Sequence, residues 1–361
     1  MTASLLLSSN DRLLVFAPHP DDETLATGAL IQSALAAGAA LRVVFATDGD
    51  NNPWPQRWLE RRWRIGPQQR ARWGERRRRE ATAALAVLGV DMQSARFLGW
   101  PDQGLTDDLM RDDRAIVALA DEIAAFAPTH VALPALGDRH PDHSALRVMF
   151  DLALLRAGRA CVRLGYVVHG DKALENARVA AVDAAGQHRK QQAMLAHLSQ
   201  IALSRRRLLA LAARPECFDI IDAKNFDANN TVSVPHAESV KIRIPHRPGW
   251  ALHRRHELLV VLATKTETLR FRFALPRLPA RGAAPATLID THGRRLPVEW
   301  TDGALILTLP AHAAPLLAVY AKLDRVKPRL NIFDRECWHD THELLQGSAP
   351  FVERRPAAGL T

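Results

Sequence analysis

The chain is poor in the features that mark several large classes. Three cysteines, Cys161, Cys217 and Cys337, are too few and too scattered for a disulfide framework. No C-x-x-C pair offers a thiolate zinc site or a thioredoxin-like motif. No run approaches the roughly 20 apolar residues needed to span a bilayer. The short apolar stretch 5–7 has neither a basic flank nor a small-residue cleavage site, so it does not read as a signal peptide. Neither G-x-G-x-x-G nor G-x-x-x-x-G-K-[ST] occurs, and dinucleotide and P-loop readings lose their phosphate cradle. H-E-x-x-H and H-x-x-E-H are absent as well, as are internal repeats and low-complexity tracts. Lysine is scarce, at seven of 48 basic residues.

What is present is an ordinary globular composition, with 47% apolar and 24% charged residues over 361 positions, long enough for two domains. Basic residues outnumber acidic ones 48 to 39, a net +9 that points to an anionic partner unless an arginine-rich bias spreads it evenly. It is not spread evenly. Residues 51–80 hold ten arginines against Glu60, Glu75 and Glu80, and so carry +7, interleaved with Trp54, Trp58, Trp63 and Trp73. Arginine beside tryptophan suits a wet anionic surface such as lipid headgroups or glycan phosphates. The plainer reading is a solvated amphipathic helix whose tryptophans pack inward.

The chain has two textures. Over residues 12–168, short apolar runs (13–17, 41–47, 96–98, 129–133, 162–168) alternate with helical patterns (25–37, 75–88, 110–126, 143–156). That alternation predicts an α/β fold, a mostly parallel sheet covered by helices, with ligands beyond the carboxyl ends of its strands. Residues 186–213 read as a long helix broken near Ser199, and 227–230 as a polar linker. Beyond it, β-like runs at 240–244, 257–263, 268–274, 286–289, 304–309 and 316–321, with turn signals at His292-Gly293 and Asp302-Gly303, predict a smaller all-β, sandwich-like domain. The expected division is 1–226, 231–326 and an extended tail 327–361.

Two clusters carry the chemistry. The first strand runs into Pro18-His19-Pro20-Asp21-Asp22-Glu23, and the fourth into Asp138-Arg139-His140-Pro141-Asp142-His143. Either alone could be a helix cap. Two mixed His/Asp clusters after strands of one sheet can converge, and burying them is costly without a cation. Two imidazoles and a carboxylate would leave a fourth position open, as catalytic zinc sites do. Cys337, His339, His342 and Glu343 form a weaker cluster in the proline-flanked tail, read as a surface group.

The two motifs, in this order, resemble the PIG-L/LmbE-like de-N-acetylases. Thr47-Asp48-Gly49, Arg77 and Glu80 with Leu88-Gly89-Val90, Gly99-Trp100-Pro101-Asp102, and His197-Leu198-Ser199-Gln200 are similar to further blocks of that family, over about residues 10–215. The resemblance implies a Rossmann-like fold and a zinc (or iron) site held by His19, Asp22 and His143. It implies Asp21 as general base and a protonated His140 stabilising the oxyanion. Asp142 stands close enough to orient His140, and Glu23 reads as loop support. The resemblance implies Arg77 and Asp102 as contacts to the sugar; for Arg77 the alternative is a solvated helix face. Where some members carry an aromatic hydroxyl before the second motif, this chain has Asp138-Arg139.

The expected function is removal of the acetyl group from an N-acetylated amino sugar or glycoconjugate, anionic or lipid-linked, with release of acetate. The alternative is a non-catalytic glycan- or anionic-membrane-binding protein that kept the fold, against which the intact His/Asp set argues. No nucleic-acid motif accompanies the Arg/Trp segment, so no nucleic-acid partner is expected. The expected location is the cytoplasm, with that segment available for peripheral contact with the inner face of the membrane.

Overall fold

The computed structural model describes residues 5–170, 177–180, 182–221, 239–245, 256–264, 266–275, 284–290, 293, 295–301, 304–310, 316–326, 333–334 and 336–340. The chain divides into two compact units, residues 1–231 with 331–337, and residues 232–330 with 338–361.

The first unit runs β1 (Arg12–Ala17), α1 (Asp22–Ala36), β2 (Ala40–Thr47), α2 (Pro53–Glu60), α3 (Pro67–Leu88), β3 (Ala95–Trp100), α4 (Leu105–Arg111), α5 (Arg114–Phe126), β4 (His130–Pro134), α6 (Pro141–Ala157), β5 (Val162–Tyr166), β6 (Ala177–Ala180), α7 (Ala184–Ala196), α8 (Leu198–Ala212) and β7 (Glu216–Ile221). Its sheet has the order β3-β2-β1-β4-β5-β7-β6. The first five strands are parallel, whereas β7 is antiparallel to β5 and to β6. The chain moves outward one way from β1 through β2 to β3 and the other way from β4 to β5. The loops leaving β1 and β4 therefore open a crevice at the carboxyl edge, where sheets of this kind hold ligands.

Local sequence explains these elements. Strands β1 and β4 are near-continuous apolar runs because both faces of the sheet are covered. Helix α1 is buried at every residue from Asp22 to Gln32, so its polar start, Asp22-Glu23-Thr24, must find partners inside the protein. Helix α3 begins eight residues before the expected start, at Pro67 after Gly66, since proline's fixed φ suits the first helical turn. The expected helix 110–126 is two, because the Asp112 carboxylate takes the N–H of Arg114 (2.9 Å) and interrupts the first helix. The break expected near Ser199 falls at His197, and helix α2 and strands β6 and β7 went unanticipated.

The second unit contains β8 (Ser239–Pro245), β9 (His256–Ala263), β10 (Thr268–Ala274), β11 (Ala284–Asp290), β12 (Arg295–Thr301), β13 (Ala304–Pro310) and β14 (Ala318–Arg325), in the antiparallel order β14-β9-β10-β11-β12-β13-β8. Its core gathers Leu258, Val260, Phe273, Trp300, Leu305 and Val319. Strand β12 was missed because Pro297 lies within it, and proline usually marks an edge or a turn. Here Pro297 sits opposite Thr287 in an interior strand. The linker 227–230, His292 and Asp302-Gly303 of the expected turns, and most of the tail lie outside the described residues.

Candidate metal centre and its surroundings

The crevice between β1 and β4 holds the two clusters. His19 and Asp21 stand in the loop after β1, and Asp22 opens α1. His140 precedes α6, with Asp142 and His143 in its first turn. Three acceptor atoms converge there. His19 Nδ1 lies 3.2 Å from Asp22 Oδ2 and 3.3 Å from His143 Nε2, and His143 Nε2 lies 3.2 Å from Asp22 Oδ2. All three side chains are buried. Four-coordinate zinc with bonds of about 2.0–2.1 Å has donor atoms roughly 3.3 Å apart along each tetrahedral edge. The triangle matches that edge on all three sides, so these residues fit a divalent ion.

The surrounding carboxylates fix which imidazole nitrogens face inward. Asp102 Oδ1 and Asp142 Oδ2 each lie 3.3 Å from His19 Nε2, which places a proton on Nε2 and leaves Nδ1 bare. Asp138 Oδ2 lies 3.2 Å from His143 Nδ1 and does the same for Nε2 of that ring. Burial alone would lower His143, but Asp138 and Asp22 outweigh it and push the imidazole up to about 10, so a cation would be held there only in exchange for the proton on Nε2. Burial would raise Asp22, yet His143 and His19 hold it well below the usual carboxylate range. Asp138, outside the expected site, is fully buried and also accepts the N–H groups of His140 (2.9 Å), Val168 (2.7 Å) and His169 (3.1 Å). The only signal for it in the sequence was its place two residues before His140.

Asp21 adopts φ 143°, which a non-glycine residue rarely holds, and strain of this kind gathers at working sites. Its N–H donates to Glu23 Oε2 (2.9 Å), and Glu23 Oε1 in turn lies 2.8 Å from His197 Nε2. Burial raises Asp21 to about 6, with Arg77 pulling the other way. The loop support expected of Glu23 is thus what the chain of contacts shows.

Four expected roles change with the geometry. The Asp142 carboxylate does not orient His140. It accepts the N–H groups of Gln103 (2.6 Å) and Leu105 (3.1 Å) and faces His19, while the backbone N–H of Asp142 donates to His140 Nδ1 (3.2 Å). His140 is therefore not the protonated group expected. Its Nδ1 is an acceptor, and burial, with the neighbouring His19, His143 and His169, holds the ring well below its ordinary pKa. The neutral ring carries its hydrogen on Nε2, still a donor. Arg77 is neither on a solvated face nor free to grip a sugar. It is buried and donates to the carbonyls of Gly49 (2.7 Å) and Pro20 (2.5 Å), with Asp21 Oδ1 at 3.3 Å. Asp102 likewise spends its oxygens on His19 and on the N–H of Asn51 (2.6 Å).

A returning segment closes one side. Phe333 sets its ring 6.2 Å from that of His140 and 5.1 Å from that of His169. The Asp334 N–H donates to Arg139 O (2.8 Å), and Cys337 Sγ to Asp138 O (3.6 Å). Cys337 is thereby accounted for, His339 pairs its backbone with Ala321, and His342 and Glu343 lie outside the described residues. No described helix is long and apolar enough to cross a membrane.

Residues 14–154 match the family model described as GlcNAc-PI de-N-acetylase (PIG-L). A 1D-myo-inositol 2-acetamido-2-deoxy-alpha-D-glucopyranoside deacetylase of Mycolicibacterium vanbaalenii is 31% identical over 257 residues, 62% of this chain and 87% of the relative. Its counterpart from Mycolicibacterium gilvum is 32% identical over 188 residues, 48% of this chain and 64% of the relative. Among solved structures, the N,N'-diacetylchitobiose deacetylase of Pyrococcus horikoshii aligns over 60% of this chain and 85% of its own, with TM-score 0.47 and 18% identity.

Proposed function

The chain belongs to the GlcNAc-PI de-N-acetylase (PIG-L) family, and from that membership we propose that it is a zinc-dependent amide hydrolase removing the acetyl group from an N-acetylated amino sugar. The observation that carries the reading is the triangle of His19 Nδ1, Asp22 Oδ2 and His143 Nε2, with sides of 3.2–3.3 Å, beside a strained carboxylate. When bound there, a divalent ion supplies Lewis acidity for water activation and amide polarisation; iron suits the same donors.

The chain's own groups do the rest. Asp21, the most accessible carboxylate of the cluster, takes the proton of the attacking water on a side-chain oxygen and returns it to the leaving amine. His140 donates its Nε2 hydrogen to the carbonyl oxygen as charge develops on it. Asp102 and Asp142 hold His19, Asp138 holds His143, and Arg77 ties the base's loop to Gly49. The relatives' names print an inositol glycoside of N-acetylglucosamine, which supports a glucosamine carrying a further group at its anomeric carbon. A phosphate- or lipid-linked conjugate and a cytoplasmic setting are the further parts of the proposal.

The test is an acetate-release screen over free N-acetylglucosamine and its nucleotide, inositol-linked and polyprenyl-linked conjugates. Protein stripped of metal and reloaded with Zn2+ or Fe2+ is compared, with Asp21→Asn as control. Release that needs metal and falls at least about a hundredfold in the variant is expected. No metal-dependent release from any of the amides would overturn the reading.

A further inference from the structure

The proposed reaction leaves the outer half of the arginine-rich segment without a role. Helix α2 shows Trp54 and Trp58, four residues apart and hence on one face, to solvent at 60% and 66% exposure. Trp63, after the helix, is 74% exposed, and its ring lies 6.4 Å from that of Trp54. The Arg57 guanidinium stacks between them, 4.9 Å from each ring. Leu59 is also exposed, as are Arg61, Arg62 and Arg64. Three exposed tryptophans are too much apolar surface to leave in water without a purpose. Tryptophan rings settle at the headgroup level of a bilayer, where an apolar body and an N–H both find partners. The arginines around them add the complementary charge for an anionic leaflet.

We propose that the Trp54–Arg64 face is a docking surface for a bilayer with anionic headgroups. Its position suits an enzyme that takes substrate from a membrane. The loop that leads into α2 carries Asn51, whose N–H donates to Asp102 beside His19, so the segment bearing the patch is anchored at the residues around the metal centre. A nucleic acid would use the same charge but would require stacking and strong competition by oligonucleotide.

Co-sedimentation of the full chain with phosphatidylglycerol/phosphatidylcholine vesicles and with pure phosphatidylcholine vesicles tests this, with tryptophan emission as second readout. No substrate is present, so the result is independent of the amidase reading. Binding to the anionic vesicles with a blue shift is expected, weakening as salt rises. Arg61→Gln/Arg62→Gln/Arg64→Gln should lower the partition coefficient about a hundredfold, at roughly a factor of five per arginine. Trp54→Ser/Trp58→Ser/Trp63→Ser should abolish the blue shift; all six side chains are exposed, so an unchanged melting temperature separates lost docking from lost folding. No binding to anionic vesicles, binding that both variants retain, or binding competed away by an oligonucleotide would overturn the proposal.

Discussion

The two halves of the arginine-rich segment share a composition and differ in everything else. In the outer half, Arg57 lies between indoles and Arg61, Arg62 and Arg64 face water. In the inner half, on α3, each arginine that turns toward the sheet meets a carboxylate. Arg70 reaches Asp50 (3.2 Å), Arg76 reaches Glu80 (2.9 Å), Arg77 reaches Asp21 (3.3 Å) and Arg78 reaches Asp48 (2.6 Å). Those acids stand in the loops leaving β1 and β2, except Glu80, which also accepts the N–H of Ser199 at the start of α8. A net +7 is thus two populations, one paired with carboxylates beside the site and one displayed. Within the paired set only Arg77 is buried, whereas Arg70, Arg76 and Arg78 keep 36–39% of their side chains exposed. An arginine loses hydration in the protein interior and is tolerated there only when paired, so Arg77 is where pairing should matter most.

Arg77 gives the sharpest way to break the distinction. Arg77→Gln removes the brace on the loop that carries Asp21, leaves that half-buried carboxylate without its cation and empties a buried cation position. Breaking a buried pair from one side costs about 3–5 kcal/mol. Acetate release should fall by about a hundredfold or more, since a displacement near 1 Å at a reacting group costs that much. Thermal melting and a kcat measurement check both. The Arg61/Arg62/Arg64 triple variant should melt with the wild type. An Arg77→Gln protein that melts with the triple variant would erase the distinction.

How much of this was legible follows from the same contrast. The motif clusters were readable because strand ends and loop residues are local: an apolar run stops, and His and Asp follow. That placed His19, Asp21, Asp22, His140 and His143 around one crevice before any geometry was known. What partners a side chain is non-local. Asp142 and His140 are two residues apart, yet the carboxylate faces His19, 123 residues earlier in the chain. Arg77 sits in a run of four arginines, and only the helical period, set against a buried Trp73 and Glu80, tells it from Arg79. Phe333 was unreadable for another reason. Its place beside His140 follows about 100 residues of an all-β unit whose strands give no hint of where the chain returns.

Gly49 tests the inner half without touching a charge. Its φ is +60°, and a Cβ there would run into the Arg77 guanidinium. Gly49→Ala should therefore displace Arg77 as well as strain the turn, at a cost of about 1–3 kcal/mol. The expected protein melts between wild type and Arg77→Gln, with kcat reduced more than the stability loss alone implies. Wild-type kcat in a destabilised Gly49→Ala would mean that Arg77 serves folding and not the geometry of Asp21.

Arg78 is the mildest case and for that reason the most discriminating. Its guanidinium meets Asp48 with both nitrogens, at 2.6 and 2.8 Å, a geometry that looks as strong as any in the segment. Yet the side chain is 39% exposed, so water and salt screen the pair, and the fork lies over the face of Phe97 at 5.4 Å instead of inside the core. If burial and not geometry separates the two halves, Arg78→Gln should cost only about 0.2–1 kcal/mol, and less at 0.5 M salt than at 0.05 M. Arg77→Gln should keep nearly its whole penalty at both salt concentrations, because ions do not reach a buried pair. Chemical denaturation of the two variants at the two ionic strengths measures this directly. A penalty for Arg78→Gln as large and as salt-insensitive as that of Arg77→Gln would show that paired geometry alone makes an inner arginine, and the line between the halves would have to be drawn at the carboxylates instead of at the protein surface.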